Sequence, residues 1–154
     1  MKKQQQKKQK NTVHQLFGLA LAPLYLAIAQ VESRCGRTSD NVYQIKDVYI
    51  RDVNRIVAGR GATVHFSTGA KFMRDASENL MQIYWKHWGV HYQEKTGMPV
   101  SYEVLARIHN GGPIGWKKPE TLDYWKKVQK AMALQDHGDA EGWMGLPYLG
   151  GKRK

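Results

Sequence analysis

Glu32 stands at the end of an apolar stretch, in Ala29-Gln30-Val31-Glu32-Ser33. Leu24, Ala27, Ile28 and Val31 recur at helical spacing. Glu32 falls four residues after Ile28, so its carboxyl borders the apolar face instead of pointing away from it. Burial disfavours the charged form of a carboxyl, and an acid so placed stays protonated near neutral pH and can donate. Eleven residues on comes Tyr43-Gln44-Ile45, and much further on Leu105-Ala106-Arg107-Ile108-His109-Asn110-Gly111-Gly112-Pro113. These segments offer amides that donate and accept, a phenol hydroxyl and an imidazole, the groups a saccharide cleft needs. The chemistry they suggest is acid-assisted cleavage of a glycosidic bond. That reaction needs a proton donor to the leaving oxygen and a group that stabilises or traps an oxocarbenium-like centre.

Each candidate also has a bland reading. Without the two later segments Glu32 is an ordinary helix-end glutamate. Asp40 is the nearest second carboxylate, eight residues after Glu32, but Asp40-Asn41 is equally ordinary turn chemistry. Asp47 reads as a helix cap and Asp52 as a solvated or salt-bridged acid. Tyr43 is a cleft wall or simply core, and Gln44 a saccharide contact or a solvent-facing loop residue. Asn110-Gly111-Gly112 reads as a helix C-terminus needing positive φ. Such a stop also leaves backbone groups open to a ligand, so both readings of Asn110 and Gly111 can hold. His87 and His91 have the i, i+4 spacing of a metal pair, but Trp88 replaces the glutamate of a zinc protease and no third ligand follows, which favours packing. Gly59-Arg60-Gly61 lacks the Lys-Ser/Thr ending of a phosphate loop. No metal or organic cofactor is implied.

The elements that must position these residues are mostly helices. A short lead-in helix over 14–22 precedes Pro23, which suits the first turn of the helix carrying Glu32. Gly36 ends that helix, and 37–46 forms a short extended segment or hairpin. Asp47 caps a helix containing Val48, Tyr49, Val53 and Ile56. A long helix spans roughly 70–94, with Met73, Ala76, Leu80, Ile83 and Tyr84 inward, broken by Gly97 and Pro99. Ser101 caps the helix of Val104, Leu105 and Ile108. Pro119 opens a last helix with Leu122, Trp125, Val128, Gln129 and Met132 at helical spacing. The expected organisation is a basic disordered tail over 1–12, one domain over 13–135 and an irregular Gly-rich tail over 136–154.

A chain of 154 residues is the size of one domain and long enough for a core. Of the net charge of +11, five lysines within 1–10 and the Lys152-Arg153-Lys154 ending carry eight, leaving the body at +3. The tails either contact a polyanion such as nucleic acid, anionic lipid or teichoic acid, or serve as solvated ends. The single cysteine, Cys35, allows no intramolecular disulfide and reads as a small packing residue. It suggests folding in a reducing compartment before the substrate is met. The basic start, the apolar run from Leu16 to Ala29 and Ala27-x-Ala29 imitate a secretion signal. Cleavage there would remove the helix that presents Glu32, so a structural helix is favoured, with an uncleaved anchor left open.

The order and wording of these segments resemble the lysozyme-like superfamily, which cleaves peptidoglycan glycan strands. The resemblance is closest to invertebrate-type lysozymes and their bacterial and phage relatives, with lytic transglycosylases at greater distance. It runs from about Pro23 to about Ala131, and Ala106 to Pro113 followed by Thr121-Leu122-Asp123-Tyr124-Trp125 is its most specific part. It implies an α+β, mainly helical lysozyme-like fold and a monomer acting on peptidoglycan at a bacterial cell wall, in a phage or bacterial setting. Glu32 corresponds to the general acid and Asp40 to the nucleophilic carboxylate, on a loop shorter than in many relatives. Tyr43, Gln44, His109, Asn110 and Gly111 correspond to the saccharide site. Secreted invertebrate lysozymes are cysteine-rich, and this chain departs from them. If Asp40 is misplaced, a transglycosylase route survives, with Glu32 as acid and then base. A catalytically idle basic module that binds nucleic acid or cell-wall glycan is the alternative from another class.

Overall fold

The computed structural model describes residues 15–136, so the tail over 1–12 and all but the first residue of the one over 136–154 lie outside the described residues. Two short strands, β1 (Gln15–Leu16) and β2 (Leu19–Ala20), form an antiparallel hairpin. Five α-helices follow among the described residues: α1 (Ala22–Ser33), α2 (Asp47–Gly59), α3 (Arg74–Thr96), α4 (Tyr102–Gly111) and α5 (Thr121–Asp136). Short 3-10 turns span Thr68–Phe72 and Gly115–Lys117. The protein is therefore mainly helical. No helix among the described residues is long and apolar enough to cross a membrane.

α1 is the central element. Pro23 sits in its first turn, where a missing N–H costs nothing. Leu24, Ala27, Ile28 and Ala29 are fully buried, and α1 packs against α4 and α5. Burying a Leu or Ile side chain contributes about 1.5–3 kcal/mol, so this helix cannot be a peripheral appendage. It ends in a left-handed run, with Arg34 at φ 49°, Cys35 at 55° and Gly36 at 90°. The Cys35 N–H donates to Ala29 O and the Arg34 N–H to Gln30 O, closing the helix one residue after Glu32. The Ser33 hydroxyl lies 2.7 Å from Val42 O and accepts from the Gly36 N–H, joining the helix end to the segment that follows.

That segment, 34–46, contains no strand. Its order comes from one asparagine. Asn41 donates through Nδ2 to Ile45 O and accepts at Oδ1 from the Ile45 N–H, both at 2.9 Å. Asn54 pins the next loop in the same way, through both backbone groups of Phe66. Asn41→Ala strands both groups of Ile45 and is expected to cost ~1–3 kcal/mol. A melt unchanged from wild type would show that the loop is held by something else.

Several sequence expectations change. The lead-in over 14–22 is the hairpin, not a helix. Phe17 and Gly18 both have positive φ, the two-residue turn that matches strand twist. A Cβ on Gly89 of α3 would meet the Phe17 ring at 2.6 Å, so the hairpin docks over a glycine. Asp47 is the first helical residue of α2, behind Lys46 at the N-cap position, and makes no side-chain cap. Met73 lies outside α3 and is 65% exposed, because the chain enters that helix through the 3-10 turn. α5 starts at Thr121, after a turn in which the Leu122 N–H donates to Pro119 O. Ser101 caps α4 as expected, accepting from the Val104 N–H. The rings of His87 and His91 pack against each other and against Trp88 on α3, edge-on or tilted.

Candidate active site

A cleft of about 510 Å³ opens where the end of α1, the segment after it, the first turn of α2 and the end of α4 converge. α1 contributes Glu32; the intervening segment contributes Asn41, Gln44, Ile45 and Lys46. α2 contributes Asp47 and Tyr49, the first 3-10 turn Lys71, and α4 His109 and Asn110. Residues some eighty positions apart are thus brought to one cavity.

Glu32 is mostly buried, its side chain 19% exposed. Burial raises its pKa above the ordinary 4.5, while the Tyr124 hydroxyl and then the Lys46 ammonium pull it down. Desolvation wins, so the carboxyl retains its proton further toward neutrality than a free glutamate does. The Tyr124 hydroxyl is buried beside this carboxyl without a hydrogen bond of ordinary geometry.

His109 is buried at the edge of the same carboxyl. Its Nε2 is 2.8 Å from Tyr43 O, and a carbonyl can only accept, so Nε2 carries the proton. Burial pushes the imidazole pKa down to about 4, so the ring is neutral near neutral pH. The 4.0 Å approach of Nε2 to Glu32 Oε1 is therefore not an ion pair. It leaves Glu32 free to hold a proton of its own. His109 Nδ1 and the Tyr49 hydroxyl are also buried without partners, with the two rings 5.6 Å apart. Leaving buried polar atoms unpaired costs ~1–3 kcal/mol each, and Tyr49 and His109 both line the cleft with Glu32.

The sequence candidates are not all brought together. Glu32, Gln44, His109 and Asn110 share the cleft. Gln44 is held at φ 51°, with its amide donating to Asn41 O at 2.8 Å. Tyr43 is fully buried; its ring belongs to the core and its hydroxyl donates to Glu78, so only its carbonyl serves the site, through His109. Gly111 is not among the cleft residues. It packs on Thr121, and its carbonyl accepts from Lys118 Nζ. Asp40 is exposed on the turn, does not line the cleft and makes no hydrogen bond or ion pair among the described residues. Asp47, read from sequence as a cap, lines the cleft instead. Lys46, Tyr49, Lys71 and Tyr124 were also missed. Lys46 and Asp47 directly follow Gln44-Ile45, which is the one signal that could have found them.

The most specific stretch of sequence turns out to be a brace. Arg107 donates to Thr121 Oγ1 at 2.8 Å, to Lys118 O at 3.0 Å and to Glu103 at 3.0 Å. The Thr121 hydroxyl sits 2.7 Å from Gly115 O. These bonds fix the turn after His109-Asn110 against α5, which in turn presents Tyr124 to Glu32.

The chain is 33% identical over 112 residues to a lysozyme of Meretrix lusoria, covering 67% of this chain and 83% of that one. It belongs to the invertebrate-type lysozyme family. It is also 31% identical over 119 residues to invertebrate-type lysozyme 6 of Caenorhabditis elegans, covering 66% of this chain and 80% of that one. A lysozyme of Magallana gigas is 39% identical over 88 residues, and there the match spans only 56% of the relative's length. No family model matches the chain. No solved structure matches it either. The chain's single cysteine is Cys35. Burial raises its thiol pKa, and Sγ lies 3.5 Å from Gln30 Oε1, a packing contact and not a nucleophile's setting.

Proposed function

We propose that this lysozyme-family protein is a glycoside hydrolase that cleaves the β-1,4 bond between N-acetylmuramic acid and N-acetylglucosamine in peptidoglycan. Glu32 is the general acid. The observation that carries this reading is a glutamic acid whose pKa burial raises, at the wall of a cleft it shares with Gln44, Lys46, Asp47, His109 and Asn110. Its proton goes to the glycosidic oxygen as the C1–O bond breaks. Gln44 and Asn110 offer amides to sugar hydroxyl and acetamido groups, and neutral His109 lines the cleft beside the acid.

A second route has a specific observation in its favour. Asp40 stands outside the cleft, so the carboxylate expected to trap C1 is missing from its expected place. In a transglycosylase the sugar's own 6-hydroxyl attacks instead, with Glu32 as acid and then base. Mass spectrometry of muropeptides released from purified peptidoglycan separates the two: reducing ends are expected, and anhydro ends would move the protein to the transglycosylases. No products from several wall types would overturn both. The polyanion-binding alternative rests on tails outside the described residues. It predicts salt-sensitive nucleic-acid binding that disappears when 1–10 and 152–154 are removed.

The pH profile provides a further check. The reaction uses protonated Glu32, so the alkaline limb of kcat/KM follows its pKa. Lys46 lowers that pKa. Lys46→Met is therefore expected to move the alkaline limb to higher pH. A limb that stays in place or moves down would show that another group sets it.

A further inference from the structure

We propose that Phe72 is a stacking platform for a sugar ring of the glycan strand where that strand leaves the cleft, a binding subsite away from the bond that is cut. The inference rests on the muramidase reading of the cleft. The cleft holds only part of a polymer, so the rest of the strand must cross its rim. One stretch of that rim is apolar. Asp47 and Lys71 line the cleft and are joined by an ion pair of 2.7 Å. Their neighbours in the chain, Val48, Phe72 and Met73, are 59%, 58% and 65% exposed. Apolar side chains scattered singly over a surface are ordinary, but three that flank one ion pair at a cleft are not scattered.

The Phe72 ring is also held in place. Lys71 Nζ lies over it, 5.3 Å from the centroid, so the ammonium that reaches Asp47 also pins one side of the ring. The backbone beneath is tied to the core. The buried Ser77 hydroxyl donates to Lys71 O at 3.1 Å, and the Met73 N–H donates to Ala70 O at 3.0 Å. A ring so fixed binds without first being ordered, which lowers the entropic cost of binding. The rim also matches the chemistry of a β-1,4-linked pyranose. Such a sugar carries axial C–H groups on its faces and hydroxyls around its edge. The faces suit a flat apolar ring. The edge suits the ion pair, where Lys71 donates to a hydroxyl oxygen and Asp47 accepts from a hydroxyl. A second copy of this chain fits less well, because a stable interface buries about 800 Å² on each partner, far more than three side chains offer.

The test titrates a soluble octasaccharide of alternating N-acetylglucosamine and N-acetylmuramic acid into the full chain by calorimetry, with Glu32→Gln present throughout so that nothing is cut. Adding Phe72→Ala is expected to weaken binding by roughly 5- to 10-fold, the loss of part of one buried phenyl ring. Adding Phe72→Trp instead should hold or tighten binding, because it keeps the flat face. With Glu32 intact, Phe72→Ala should raise KM for the same substrate and leave kcat within about twofold, the signature of lost uniform binding. Phe72 is exposed, so both variants should melt close to wild type. An affinity unchanged by Phe72→Ala would overturn the proposal. So would a Phe72→Trp variant that binds as poorly as Phe72→Ala, or a wild-type dimer in sedimentation that Phe72→Ala dissolves. If the octasaccharide binds but wild type releases no products, the muramidase reading falls, and the affinities still decide the platform. An octasaccharide that does not bind at all would overturn both.

Discussion

Glu32→Gln is expected to lose about three orders of magnitude in muropeptide release while melting above wild type at neutral pH. The first half follows from chemistry: glutamine fills the same space but has no proton to give, and a positioned general acid contributes roughly 10²–10⁴-fold. The second half follows from where the carboxyl sits. Its folded pKa is raised above 4.5 because burial penalises the charge more than Tyr124 and Lys46 favour it. A raised carboxyl pKa means stability that is fully present below the unfolded value and lost as pH rises through the folded one. Wild type therefore carries the cost of a desolvated charge at neutral pH, and glutamine removes it. Each kcal/mol recovered is worth roughly 2–4 °C in Tm for a domain of this size. The gain should shrink as pH falls toward 4.5 and vanish below it. Paired melts at pH 4 and pH 8 test this directly. A variant that is inactive and also less stable at pH 8 would mean that Glu32 is an ionised structural partner, and the general-acid assignment would fall with it.

Helix-period signals carried most of the fold, because α1, α2, α4 and α5 each bury a face whose spacing shows in one chain alone. Glu32 was legible for the same reason: its offset from Ile28 places it at the rim of a buried face, and a raised pKa follows from that placement. What escaped was set by contacts between elements. Phe17-Gly18 reads as the tail of an apolar run until Gly89 offers the surface on which a hairpin can dock. The Tyr43 ring turns into the core and Asp47 lines the cleft because periodicity is silent in 34–46, where Asn41 and Ser33, not a strand ladder, decide which side chains face inward. Gly111 looked like a ligand contact because it adjoins Asn110, yet its neighbour is Thr121, ten residues further on. Within Ala106 to Trp125, Arg107 and Thr121 meet in a brace, so part of that stretch is scaffold.

That scaffold fails at one atom. Gly115→Ala is expected to be the most destabilising small substitution in the protein, although alanine adds a single methyl group. Gly115 opens the 3-10 turn Gly115–Lys117 and is pressed against the middle of α4. A Cβ there would lie 2.0 Å from Arg107 O, 2.8 Å from Arg107 C and 3.3 Å from Ile108 Cα. All three atoms are backbone, so no rotamer change relieves the clash. Either α4 bends or the turn retreats. Retreat breaks the bond from Thr121 Oγ1 to Gly115 O and loosens the Arg107 contact with Lys118 O. Overpacking in well-packed cores costs ~1–3 kcal/mol, and a backbone collision belongs at or beyond the top of that range. A Tm lower by roughly 10 °C is expected for a chain of this size. Gly59→Ala is the control. It ends α2 with nothing within 4 Å of the added carbon, and alanine is the better helix former, so its melt should hold or rise. The loss should also reach the cleft, because the turn that Gly115 anchors directly follows His109 and Asn110. Folded Gly115→Ala assayed below its melting range should show a raised KM, while the pH limb set by Glu32 stays in place. A wild-type melt would mean that the 3-10 turn shifts at no cost, and the Arg107–Thr121 brace would then be a contact the site does not depend on.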